Sequence, residues 1–99
     1  MNDELRRYGR HGVISITRGI SALGSLQVIE VLQAVRDFDQ FSDGNDPYRE
    51  HDFGTFRLLG DRMMWKIDYY DRERRYGSPD PADPAVTCRV LTIMLAEEY

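Results

Sequence analysis

The 99-residue chain has a single cysteine, Cys88, and no apolar run near the ~20 residues that a membrane-spanning helix needs. One thiol excludes an internal disulfide and suits a reducing compartment. Its neighbours Val86, Val90 and Leu91 mark Cys88 as a small buried hydrophobe rather than a nucleophile. Asp3, Glu4, Arg6 and Arg7 stand where a secretory signal would place its apolar core. The expectation is a cytoplasmic protein with no membrane association. Nucleophile-elbow, phosphate-loop and dinucleotide glycine signatures are missing, as are HExxH and EF-hand spacings. There is no internal repeat and no low-complexity tract. No cofactor is called for, and the reading leans away from an enzyme.

What is present is an ordinary globular composition, 41% hydrophobic and 30% charged, enough for one domain over residues 1–99. The net charge of −4 is uneven: +2 over residues 1–36, −5 over 37–52, +2 over 53–76 and −3 over 77–99. Overall acidity argues against a non-specific nucleic-acid binder, while the blocks leave room for a local basic patch beside an acidic one.

Patterning predicts the order α-β-α-β-β-α. Residues 2–8 read as a short helix ended by Gly9, stable only if something packs on it. β-Branched residues predict a strand from Val13 to Arg18. Over 25–38, Val28, Val31, Leu32, Val35 and Phe38 fall on one helical face, with Gln27, Glu30, Gln33, Ala34 and Asp37 opposite. SDGNDPYREHD (42–52) is a polar loop. Residues 53–59 and 63–70 read as a hairpin around Gly60-Asp61-Arg62. In it Trp65, Ile67 and Tyr69 share one face, and Phe56 and Leu58 join Trp65 and Ile67. After a second loop at 71–83, Asp83-Pro84 reads as a helix start. The helix it opens, 84–97, is apolar over most of its girth, which suits a central element or a homodimer seam through that C-terminal helix. The expected fold is α+β: a three-stranded, mostly antiparallel sheet with two main helices on one face.

Four segments carry a family resemblance: ITRGI with ALG close behind, NDPYREHDFG, WKIDYYD and SPDPADPAVTCRVLTIMLAEEY. Through them nearly the whole chain resembles the bacterial family catalogued as domain of unknown function 3768. Its members are small, mostly alphaproteobacterial and often plasmid-borne. The resemblance implies a cytosolic bacterial protein with a mobile-element association, and it supplies no reaction or catalytic residues. Arg49 stands where the family pattern has glycine (NDPYGEHDFG), which bears on the turn before His51.

Three constellations could carry chemistry. Asp46, Glu50, His51 and Asp52, with Asp68 on the hairpin, offer carboxylate and imidazole ligands for Mg²⁺, Mn²⁺ or Zn²⁺, as in a small metal-dependent hydrolase. The plainer reading has Asp46 and Asp52 bonding loop amides and His51 anchoring the loop. Tyr69, Tyr70, Arg72, Arg74, Arg75 and Tyr76 form an aromatic-basic patch, matched in character by Arg6, Arg7, Tyr8, Arg10 and His11. Such patches suit protein partners and phosphates alike; the plainer reading is a solvated loop with internal ion pairs. Asp37, Asp39, Asp43, Asp46, Glu50, Asp80, Asp83, Glu97 and Glu98 make an acidic surface, explained by solubility or by mimicry of phosphates.

These features lead to the expectation of a non-enzymatic interaction module. It would bind a protein, or nucleic acid only within a protein complex, through Tyr48, Arg49, Tyr70, Arg72, Arg74, Arg75 and Tyr76. An inhibitor of host defence, such as an anti-CRISPR, is its most concrete form. The rivals are the hydrolase above and weak nucleic-acid binding through Arg72, Arg74 and Arg75.

Overall fold

A computed structural model describes residues 1–42 and 44–99. Helix α1 (Asn2–Tyr8) is short, and packing holds it: Leu5 is fully buried in the core. Strand β1 (Gly12–Ile16) follows, then a four-residue helix α2 (Arg18–Ser21) where the sequence offered no separate element. Helix α3 (Ser25–Arg36) buries Val31 and Val35, with Phe38 just past its end. Leu32, expected on the same buried face, is 37% exposed.

Strands β2 (Phe53–Leu58) and β3 (Asp61–Tyr70) pair antiparallel around Leu59-Gly60. Both turn residues have positive φ, 56° and 82°, the twist a two-residue hairpin favours. The turn therefore sits one residue earlier than expected, and Asp61 and Arg62 join β3. Gly54 faces Trp65 across the pair. A Cβ there would lie 2.5 Å from Trp65 Nε1 and 2.8 Å from Phe38 Cζ, so only glycine lets the indole lie flat against β2.

The last segment corrects the sequence reading. Residues 88–95 are not helix but strand β4 (Cys88–Leu95), closed by a 3-10 turn at Ala96–Glu98. This strand is buried on one face and half-buried on most of the other, so apolar residues occupy both faces and imitate a helix with no polar side. The Asp83-Pro84 pair makes a turn instead: the Asp83 side chain accepts from the Ala85 N–H at 2.9 Å. A dimer seam through a C-terminal helix accordingly has no helix to use. Cys88, at the start of β4, is half-buried.

The sheet has four strands rather than three, in the order β1-β4-β3-β2. It is mixed: β4 is antiparallel to β3 and parallel to β1. Leu91 and Ile93 of β4 meet Ile67 and Trp65 of β3 in the ladder. Leu5, Ile20, Val31, Val35 and Phe38 from the helical side complete the core, so α1, α2 and α3 lie on one face, but of the two main helices expected there only α3 is a helix. No helix among the described residues is long and apolar enough to cross a membrane.

Candidate functional site

The acidic-histidine loop folds back on α1. The Asp46 carboxylate is buried and accepts the Glu50 and His51 N–H groups at 3.0 and 3.2 Å. His51 Nδ1 lies 2.9 Å from Asp3 Oδ1, its Nε2 lies 3.4 Å from Asp46 Oδ2, and its ring stacks on Phe41 at 3.9 Å. Burial acts to raise the Asp3 pKa, but hydrogen bonds with His51 and Arg6 outweigh it and hold the carboxyl below its ordinary value.

Arg6, expected on a basic surface, is buried instead. One guanidinium nitrogen donates to Val35, Arg36 and Phe38 carbonyls at 2.9, 2.9 and 2.7 Å, satisfying the end of α3; the other reaches Asp3 at 3.1 Å. Its Cζ lies 5.5 Å from the centroids of both the Phe41 and Trp65 rings. A continuous chain Arg6–Asp3–His51–Asp46 thus ties α1 to α3 and to the loop.

Of the proposed metal ligands, Asp46 and His51 meet, but Asp52 and Asp68 do not join them. Asp52 lies 3.4 Å from the Tyr69 hydroxyl, and that hydroxyl accepts from Asn2 at 2.7 Å. Burial, with the negative charges of Asp52 and Glu50, raises the Tyr69 pKa. Asp68 pairs with Lys66 at 2.9 Å. It lies one residue out of phase with Trp65 and Ile67, on the sheet face away from the helices. Among the described residues no group of three or more His, Cys, Asp or Glu side chains is placed to share a metal ion.

The aromatic-basic patch is a tight projecting turn. Asp71 N–H bonds Tyr76 O at 2.8 Å, and Arg74 and Arg75 N–H groups bond Asp71. Arg75 is 3.8 Å from Glu73, so part of the internal pairing foreseen for this loop is present. Tyr76 and Tyr48 are largely exposed, on separate loops, and Tyr70 is half-buried. Of the acidic surface, Asp46 is buried, Asp80 and Asp83 cap turns, and Glu98 bonds Thr17 and Gly19. Asp43 lies outside the described residues.

A concavity lies elsewhere. A groove of about 690 Å³ runs between the end of α1, α3 and β1. Its floor is apolar: Ile14, Ile29, Leu32, Val35, Leu91 and Ile93. Ile29 is 58% exposed and Ile14 39%, and Leu26 continues the stripe one turn up α3 at 73%. Arg7, Arg10 and Arg36 stand on the rim with Tyr8, and none of the three arginines forms an ion pair among the described residues. Arg10 rests over the Tyr8 ring at 5.3 Å. Among the described residues no acidic side chain lines the groove; Asp37 and Asp39 border an adjoining hollow beside Arg36. The sequence reading placed neither Ile29 nor Leu26 on a surface, although both lie off the apolar face assigned to α3 and could have signalled it.

Fold and groove define a small α+β protein with an apolar, basic-rimmed groove among its described residues. A profile described as "Protein of unknown function (DUF3768)" matches residues 16–98, and the chain belongs to that family. The match joins the two ends of the fold: Glu98 receives the Thr17 hydroxyl at 2.6 Å and the Gly19 N–H at 3.0 Å. No curated protein and no solved structure matches the chain.

Proposed function

We propose that this protein is a non-enzymatic interaction module that binds another protein chiefly through the groove between α1, α3 and β1. The observation that carries this reading is the pairing of exposed apolar side chains, Ile14, Ile29 and Leu32, with three arginines that form no ion pair among the described residues. Monomeric proteins seldom leave such patches uncovered without a use for them. The hydrolase alternative draws no support from its ligands, because Asp46, His51 and Asp52 bond protein groups and Asp68 lies on the other face. The projecting turn at Arg72, Arg74 and Arg75, with Tyr76, would be a second, smaller contact, as would Tyr48 and Arg49. Inhibition of a host-defence complex is one role such a module could fill; the family description assigns none.

The test is a photo-crosslinking amino acid placed at Gln33 on the groove rim, with Arg57 on β2 as the distant control. Expressed in native host cells, the Gln33 probe should give a discrete protein adduct that the Arg57 probe does not. No adduct at Gln33, or the same adducts at both positions, would overturn the groove as the docking surface.

A further inference from the structure

The groove opens beside the free edge of β1. Its sequence, Gly-Val-Ile-Ser-Ile, has no charge and no proline, the devices that usually blunt an edge strand. β2, at the opposite edge, carries Arg57. Thr17 N–H donates to Ile93 O at 3.1 Å. Bonding direction alternates along a strand, so Val13 and Ser15 also face β4, and Ile14 and Ile16 turn their N–H and C=O groups to the open edge. Ile14 therefore offers an unused backbone pair outward while its side chain lines the groove floor.

We infer that β1 accepts an added strand from a partner protein, an extended segment of alternating apolar residues flanked by carboxylates. This rests on the interaction reading above and names the occupant. Backbone bonds to Ile14 and Ile16 supply register, alternate apolar side chains enter the groove, and acidic flanks meet Arg10 before the strand and Arg18 after it. Arg7 and Arg36 stand on the groove rim. A second copy of this chain is a poor occupant. Antiparallel pairing centred on Ile14 would set Arg10 of one copy against Arg18 of the other, like charge against like. Nucleic acid would meet the arginines but leave the apolar floor without a match.

A random twelve-residue peptide library is selected on the intact protein, with a Leu32→Glu variant for counter-selection. Enriched peptides should alternate apolar residues between Asp or Glu flanks. A synthetic representative should bind at least tenfold more weakly to Arg10→Glu, to Arg7→Glu, and after exchange of its own acids for Lys. N-methylation of alternate peptide amides should abolish binding on wild-type protein, an arm that needs no protein variant. Enrichment of helical i, i+3, i+4 spacing, or of peptides without acids, would overturn strand addition. So would indifference to N-methylation, or no enrichment above the Leu32→Glu control. Any of these beside a Gln33-specific crosslink would leave the interaction reading standing with a different occupant. Concentration-dependent dimerisation that competes with the peptide would assign the edge to a second copy and overturn the proposal.

Discussion

At the residue scale, Arg6 is the side chain on which most else depends. It is a buried cation whose donors serve the last carbonyls of α3 and the Asp3 carboxylate, while its Nε has no partner. Removing one side of a buried, charged hydrogen-bond set leaves the other side desolvated and unmatched. Arg6→Ala should therefore cost about 3 kcal/mol in a urea melt. Arg6→Lys should recover only part of that, because an ammonium cannot span the same fork of acceptors. A loss below about 1 kcal/mol for Arg6→Ala would show that α1 is held by Leu5 alone. Arg49 gives the opposite kind of prediction. Its φ is 54°, in the left-handed region where a side chain costs about 1–2 kcal/mol. A glycine here would relieve that strain, offset in part by its freer unfolded state. Arg49→Gly should raise stability by about 0.5 kcal/mol, read as a higher urea midpoint with an unchanged slope. A drop would mean that the Arg49 side chain holds the turn by contacts of its own.

At the element scale, what could be read from sequence was what local pattern determines. α1, the amphipathic α3 and the hairpin face that joins Trp65 to Phe56 follow from capping, a 3.6-residue period and a two-residue period. β4 was misread because it is a central strand, with Arg89, Leu91 and Ile93 buried on one face and Met94 on the other. Apolar residues on the half-buried face as well blur the alternation that distinguishes strand from helix. The remaining clue was composition: Val90, Thr92 and Ile93 are β-branched and favour a pleated neighbour. The 3-10 turn after β4 reaches back to α2 through Glu98. Its carboxyl is held below the ordinary 4.5 by hydrogen bonds from the Thr17 hydroxyl and the Leu95 N–H, then from Gly19 N–H, with burial opposing weakly. A depressed carboxyl contributes stability above its unfolded pKa and loses it as pH falls through the folded value. Glu98→Gln should lower the melting temperature at neutral pH and speed amide exchange at Gly19. The gap from wild type should close under acid. A gap that persists at low pH would show that shape rather than charge at Glu98 secures α2.

At the scale of the whole molecule, the groove was not legible because no local pattern contains it. Its lining comes from α1, β1, α3 and β4, segments that span residues 6 to 93 and meet only when β4 inserts between β1 and β3. The loop at 42–52 was legible as an acidic-histidine cluster, but its partner Asp3 stood 48 residues away in a helix that the reading treated as marginal. That tie makes the groove wall sensitive to acid. Asp3 has its pKa lowered from 3.8, so its contribution is full above that value and fades as pH drops through the lower folded one. Lys66 has its pKa raised from 10.5, led by its hydrogen bond to Asp68, so its contribution persists until the solution is more alkaline than that. Asp3→Asn should be about 1 kcal/mol less stable than wild type at pH 7, the scale of a partly exposed charged hydrogen bond. The two proteins should converge only as pH falls through the folded Asp3 value, which lies below 3.8, because wild type then carries a neutral Asp3 as well. Urea melts between pH 2.5 and pH 7 read this directly, and ~parallel curves across that range would break the link between Asp3 ionisation and the seating of α1. Because α1 forms one wall of the groove, the affinity of a selected peptide should fall over the same interval in wild type, whereas in Asp3→Asn it should already be lower at neutral pH and change less.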